Sequence, residues 1–287
     1  MLTPEQIKNL PPDAQKEYMQ TMLLLDKKKK EQLNRDDFLS FVKHMWPEFI
    51  EGEHHKIMSE KFNRVARGEL KRLIINMAPR HTKSEFASNY LPAWMIGKNP
   101  NLKIIQTTHT AELAVRFGRK AKHLIDSEEY SKIFQTRLQE DSKAAGRWET
   151  AQGGEYFAAG VGGAITGRGA DLLIIDDPHS EQDALSATAL ENAYEWYTSG
   201  PRQRLQPGAS IVLVMTRWST KDLTSMLLKA QKEVKGDQWD VIEFPALMDH
   251  GPVWPEYWNQ EELEKVKATL PVKKWNAQLM QQPTSDE

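Results

Sequence analysis

Three short stretches of this 287-residue sequence hold residue types that could carry chemistry. The first is MAPRHTKS, Met77–Ser84. A phosphate-binding loop needs backbone N–H groups turned into a concavity, the N-terminus of a helix, and a lysine followed by serine or threonine. Lys83 would then contact the β- and γ-phosphates of a nucleotide, and the Ser84 hydroxyl would ligate Mg²⁺. The usual pattern, G-x-x-x-x-G-K-[ST], has glycine where Met77 and Thr82 stand, so the stretch alone also reads as a turn with a surface Lys-Ser pair. The second stretch is LLIIDDP, Leu172–Pro178. Four aliphatic residues ending in two carboxylates put the acids at the carboxyl end of a buried strand, where open α/β sheets bind ligands. Adjacent carboxylates tolerate each other best beside a cation. Asp176 is therefore expected to hold Mg²⁺, directly or through water, and Asp177 to orient or deprotonate an attacking water. By itself this too reads as a strand ended by a turn. The third is VMTRWS, Val214–Ser219, an apolar strand ending in polar residues, with Thr216 placed to sense a γ-phosphate.

These ends meet only if their strands run parallel. Arg72–Met77, Leu102–Thr107, Leu172–Ile175, Ile211–Met215 and Asp240–Phe244 read as short buried strands. Between them lie helical patterns: one opened by Ser84 with Pro92 near its middle, one over Ala111–Asp126, and others from about Thr188 and Lys221. Apolar strands interleaved with helices predict a mostly parallel sheet covered on both faces. Its carboxyl ends share one edge. The glycine-rich stretch Trp148–Gly169 reads as a hairpin or mobile loop. Upstream, residues 1–46 read as helical, with one helix over Asp13–Leu33 and a second capped by Asn34, Asp37 following three residues on. A further helix runs from about His54 to Arg67. From Pro245 onward, Trp254, Trp258 and Trp275 mark a small appendage.

Composition removes other classes. Thirty-eight Lys+Arg against 40 Asp+Glu leave a net charge of −2, which argues against a blanket nucleic-acid coat but permits a local basic track. The absence of cysteine excludes disulfides, thiolate zinc and thiol catalysis. No apolar run approaches the ~20 residues that span a bilayer, so no membrane association is expected.

Lys-Ser, Asp-Asp and Thr-Arg at three strand ends are jointly far less expected by accident than any one of them. From about Phe38 to Pro283 the chain resembles the large terminase subunits of tailed bacteriophages, the ATPases that drive DNA into procapsids. The resemblance is carried by the APRHTKS loop, where family members often read P-P-R-H-G-K-S, by GAITGRGADLLIIDDP, by LVMTRWSTKDL and by the ending WNAQLMQQPTS. It implies an α/β P-loop NTPase of the additional-strand, RecA-like type, with a mostly parallel sheet flanked by helices and small helical appendages. Residues 1–46 would form an N-terminal helical segment, 47–244 the ATPase core, and 245–287 a small lid or linker. That linker would lead to a nuclease domain absent from this chain, so no DNA cleavage by it is expected.

The same resemblance assigns residues. Pro79, Arg80, His81, Thr82, Lys83, Ser84 and Glu85 would cradle the nucleotide, and Ser84 and Asp176 would hold Mg²⁺. Asp177 takes the place of a catalytic base that is often Glu, and Thr216 falls in the motif that couples hydrolysis to DNA movement. Arg168 is expected to reach a neighbouring subunit's site as a trans arginine finger, with Arg217 and Arg80 as rivals. His55, in His54-His55-Lys56, would contact adenine in place of the usual glutamine. Thr82 departs from the pattern, since glycine there would let the backbone close on phosphate.

The implied reaction is Mg²⁺-dependent ATP hydrolysis that moves double-stranded DNA. The implied assembly is a homo-oligomeric ring, expected to be a pentamer, on the portal protein, with a small terminase subunit as a further partner and a monomer elsewhere. Its place would be the host cytoplasm, at the procapsid portal. DNA contact is expected at Arg116, Arg119 and Lys120, which share a helix face, with Lys122 nearby, and at Arg202 and Arg204. The same residues read equally as ordinary solvated charges. Two rival readings stand beside this one: a superfamily 2 helicase-like translocase, which needs a second RecA-like domain that 287 residues leave no room for, and a catalytically inactive P-loop binding module, suggested by the missing glycines.

Overall fold

Period-two burial in the strands organises the molecule, whose computed structural model describes residues 2–142, 144–233 and 236–285. Seven strands form one sheet: β1 (Arg72–Met77), β2 (Lys103–Thr108), β3 (Arg147–Glu149), β4 (Glu155–Gly160), β5 (Ala170–Asp176), β6 (Leu205–Met215) and β7 (Asp240–Phe244). Alternate residues feed two cores. Leu73, Ile75, Ile104, Leu172, Ile174, Val212 and Val214 face one; Ile74, Ile105, Leu173, Ile175, Ile211 and Leu213 face the other. Helices Phe38–Met45, Glu53–Ala66, Leu91–Lys98 and Ala111–Ile125 supply the first core, and Ala187–Ser199 and Leu223–Glu233 the second. This is the two-sided burial that a parallel sheet requires.

The strand order is β3-β4-β2-β5-β6-β1-β7. Every neighbouring pair is parallel except β3–β4. β6 is inserted between β1 and β5, with Asn76 opposite Met215 and Asp176 opposite Val214. The three candidate strand ends are therefore neighbours on one edge, as the additional-strand arrangement demands. The glycine-rich stretch opens as the β3–β4 hairpin. Residues 161–169 then carry the chain back along the sheet to the start of β5, burying Ile165 and accepting a hydrogen bond from Trp196 Nε1 at the Gly163 carbonyl (3.0 Å).

The helix start expected at Asn34 lies three residues later. Asn34 is buried in the last turn of the helix Pro12–Asp36. Asp37, with extended backbone, is the cap: its carboxylate accepts the Ser40 N–H at 2.9 Å and the Asn63 amide at 2.8 Å. The following helix does not end a separate segment. Phe38 sits at the centre of the first core, edge-on to Phe62, Phe86 and Trp94. At the other end, Ala246, Leu263, Trp275 and Leu279 build a small third core against Ala78, the first residue after β1. The C-terminal segment thus packs directly beneath the start of the 78–84 loop. Among the described residues, no helix is long and apolar enough to cross a membrane.

Candidate nucleotide site

β1 stops at Met77 and the helical backbone resumes at Lys83. In between, Arg80 (φ 63°) and Thr82 (φ 74°) take left-handed conformations. These two reversals bring Lys83 and Ser84 to the first turn of a helix, where N–H groups lack intrahelical partners and anions are favoured. The helix is widened over Glu85–Tyr90, with the Leu91 N–H bonding the Phe86 carbonyl. Pro92 accounts for this: it offers no N–H, and its ring would clash with the carbonyl four residues back in a regular α-helix.

The Lys83 ammonium lies 3.0 Å from Asp177 Oδ2 and is buried. Asp177 adopts a left-handed backbone (φ 41°), and its Oδ1 accepts the Thr216 N–H at 2.9 Å. The Thr216 hydroxyl donates to the Met77 carbonyl (2.9 Å), tying the end of β6 to the end of β1. Asp176 accepts the Ser84 hydroxyl on Oδ1 (3.0 Å) and the Ser88 hydroxyl on Oδ2 (2.5 Å), and Gln106 Nε2 donates to Ser88 Oγ (2.9 Å). The sheet edge therefore gathers Lys83, Ser84, Asp176, Asp177 and Thr216.

Burial pushes the Asp176 carboxyl up to about 7, and the neighbouring Asp177 adds to this against Lys83, Ser88 and Ser84. Burial works to lower Lys83, but Asp177 and Asp176 outweigh it and hold the ammonium above its ordinary range. A site poised this way calls for a cation beside Asp176. One hydroxyl and one carboxylate oxygen already side by side suit Mg²⁺, which keeps waters and shares substrate phosphates. Among the described residues, no group of three or more His, Cys, Asp or Glu could hold a metal without such help.

The remaining nominated residues separate by place. Pro79 and Arg80 are exposed on the loop; the Arg80 carbonyl accepts Trp258 Nε1 (3.2 Å) and that of Pro79 accepts His81 Nδ1–H (2.8 Å). His81 is buried and stacks on Trp258 at 5.9 Å. Glu85 is half-buried. His55 differs from expectation: it is fully buried, and both ring nitrogens are engaged, Nδ1 by the Gly52 N–H and Nε2 by Thr82. Both nitrogens are thus taken within the chain. Arg217 is buried against Asp222, with Nε 3.0 Å from Oδ2, and is not free to act as a finger. Arg168 packs over Phe157 (4.4 Å) near Glu155, at the amino-terminal edge of the sheet. The seven residues of β5 separate its backbone from Asp177, roughly 20 Å at about 3.3 Å per residue, and its guanidinium turns to Phe157 and Glu155 rather than to Lys83 or Asp177.

Arg116, Arg119 and Lys120 are exposed together on one helix, while Lys122 donates to the Ser142 carbonyl. Arg202 is tied bidentately to Asp237, and with Arg204 it precedes β6 at the edge opposite the nucleotide loop. Sequence reasoning missed Ser88, Gln106 and Gln281. Ser88 stands four residues after Ser84, and Gln106 is a polar interruption in an apolar strand; both were visible signals. Gln281 Oε1 accepts the Arg217 N–H (3.0 Å) and so fastens the C-terminal ending to the residue after Thr216.

No family model and no curated protein matches this chain. Solved structures do. The large terminase of bacteriophage HK97 aligns with a TM-score of 0.53 at 15% identity, covering 82% of this chain and 51% of its own. The large terminase of a thermophilic bacteriophage, in complex with ADP, aligns at 0.50 and 11%, covering 77% and 52%. The ATPase domain of the Thermus phage P74-26 large terminase aligns at 0.50 and 12%, covering 82% and 95%. This chain spans about half the length of the first two and nearly all of the third. It has the fold of the ATPase domains of phage large terminases.

Proposed function

We propose that this chain is the ATPase motor domain of a viral large terminase, hydrolysing ATP to translocate double-stranded DNA into a procapsid. The observation that carries the reading is the meeting of Lys83, Ser84, Asp176, Asp177 and Thr216 on adjacent strand ends. The ADP in the related terminase of the thermophilic bacteriophage supports a nucleotide as substrate here.

Lys83 leaves Asp177 for the β- and γ-phosphates, which concentrates positive charge where charge develops on the transferred group. Asp177, released, orients a water and accepts its proton as the oxygen attacks the γ-phosphorus in line, while the γ-phosphorus bond to the β–γ bridging oxygen breaks and ADP leaves with that oxygen and its charge. Ser84 and Asp176 would hold Mg²⁺, which neutralises phosphate charge when bound. Thr216 senses the change through its N–H on Asp177 and relays it through its hydroxyl to the Met77 carbonyl. An arginine from a neighbouring subunit completes the charge in a ring assembled on a portal protein, with a small terminase subunit as partner, in the host cytoplasm.

The test is Mg²⁺-dependent ATP hydrolysis by the chain and by Asp177→Asn, at concentrations that permit self-association. Turnover by the parent that is lost in the variant, with nucleotide still bound, supports the reading. Tight binding without turnover in either, even with portal protein and DNA present, would overturn it in favour of an inactive binding module.

A further inference from the structure

Thr82 sits in a backbone conformation (φ 74°) that glycine takes freely and a β-branched residue takes under strain. Its carbonyl accepts the Phe86 N–H at 3.0 Å, closing the first turn of the helix, so the residue cannot relax without disturbing Lys83 and Ser84. A chain of hydrogen bonds with a single direction opposes the strain. The Gly52 N–H, which can only donate, points at His55 Nδ1 at 2.8 Å. That nitrogen is therefore the unprotonated one. Burial, with His54 and His81 beside it, keeps the ring neutral, so its proton lies on Nε2. Nε2 is 2.6 Å from Thr82 Oγ1 and donates to it. The Thr82 hydroxyl in turn donates to the His81 carbonyl.

Packing fixes each member. Phe49, Phe86 and Trp254 lie 4.7, 4.9 and 5.0 Å from the His55 ring. At residue 52 a Cβ would come within 2.5 Å of Trp254 Cδ1, so the close approach of the donor needs glycine. His55 stands third in its helix and accepts the N–H of the residue before it, the part a Glu or Gln plays in a capping box. One imidazole thus caps its own helix and braces the loop.

We infer that His55 is a positioning residue for the phosphate loop, holding Thr82 in the left-handed backbone that glycine would take unaided. This rests on reading the loop as a nucleotide site. The dependence on His55 should vanish once residue 82 needs no brace.

The experiment is a double-mutant cycle on the full chain, read by ADP titration. His55→Ala and Thr82→Val each remove two bonds of the relay, sharing the one between them, and should weaken ADP binding roughly tenfold. Thr82→Gly should bind as well as the parent or better. His55→Ala placed in the T82G background should then change affinity by less than about twofold, since residue 82 no longer needs the brace; the lost Gly52 cap falls on stability in both backgrounds alike. His55→Gln, which can accept from Gly52 and donate to Thr82, should recover most of the affinity. An equal loss from His55→Ala in both backgrounds would mean the ring acts by bulk packing alone and would overturn the inference. A parent that binds no ADP overturns the functional reading instead. The same cycle is then read by urea unfolding of the ligand-free chain, where additivity of the two substitutions sinks the brace and coupling sustains it.

Discussion

Lys83 Nζ lies 3.0 Å from Asp177 Oδ2, so the residue expected to hold phosphate neutralises the residue expected to activate water. Without nucleotide the base is occupied and the ammonium is satisfied. Nucleotide must break this pair, and by taking Lys83 it frees Asp177. Binding and hydrolysis should therefore respond in opposite directions to loss of Asp177. Asp177→Asn should slow ATP hydrolysis by about 10²–10⁴-fold, the usual worth of a positioned general base. It should leave ADP affinity equal or higher, because Lys83 no longer has to leave a charged partner to reach the phosphates. Titration and turnover measured on one preparation check both signs; weaker ADP binding in the variant would show that Asp177 helps hold the nucleotide.

Acid should unfold this protein early. Burial pulls His54 and His81 down to about 4 and His55 to about 2, whereas the unfolded chain titrates them near 6.5. Between pH 6.5 and 4 the unfolded state binds more protons at these rings, so stability falls as pH falls. Asp176 works the other way. Its folded value of about 7 lies above its unfolded one, so its contribution is full below about pH 4 and lost as pH rises through 7. Three rings outweigh one carboxylate. Asp176→Asn removes the opposing group and should steepen the acid loss by about 1.4 kcal/mol per pH unit. Urea unfolding over pH 4–7 measures the slope; an unchanged slope in the variant would contradict the assignment of the raised value to Asp176.

The sheet could be read from sequence because its strands are short apolar runs that keep both faces buried, as in Leu172–Ile175. The site could be read because polar residues interrupt those runs at their carboxyl ends. The helix cap falls at Asp37 rather than three residues earlier because Asn34 and Asp37 carry the same local signal, and the choice between them rests on Asn63, distant in the chain. His55 escapes local pattern for the same kind of reason: its partner Thr82 is 27 residues away, and nothing nearby in the chain shows that both nitrogens are taken. Gln281 was invisible because its worth lies in meeting Arg217 across the fold.

The Thr216 hydroxyl bonds the Met77 carbonyl inside the protein. Thr216→Val keeps the shape and leaves that carbonyl unpaired, which should cost about 1–3 kcal/mol. Because the Thr216 N–H still holds Asp177, hydrolysis should fall far less than in Asp177→Asn, while the link from β6 to β1 is lost. Stability by urea unfolding and DNA-stimulated turnover separate the two effects. A variant that hydrolyses normally and still responds fully to DNA would remove Thr216 from the coupling path.

Arg168 stands at the sheet edge opposite Asp177, packed on Phe157. A catalytic part for it in a neighbour's site, as proposed, makes turnover depend on self-association. Turnover per chain of the parent should therefore rise with protein concentration, and Arg168→Ala should abolish that rise while leaving the dilute rate unchanged. If the variant lowers the dilute rate equally, Arg168 acts within its own chain by supporting the fold, and Arg80, exposed on the loop, becomes the candidate finger.

DNA contact can be tested by its salt dependence. Arg116, Arg119 and Lys120 are exposed on one face of the helix Ala111–Ile125, whereas Arg202 already satisfies Asp237 through two hydrogen bonds. Each phosphate neutralised by a cation adds about 0.9 to the slope of log affinity against log salt. Replacing all three helix cations by alanine should therefore reduce the slope for double-stranded DNA by about 2–3 and weaken binding alike for any sequence. Arg202→Ala should leave the slope unchanged and instead lower stability, since Asp237 loses a partner. A helix variant with the parental slope would place the DNA on another surface of the domain.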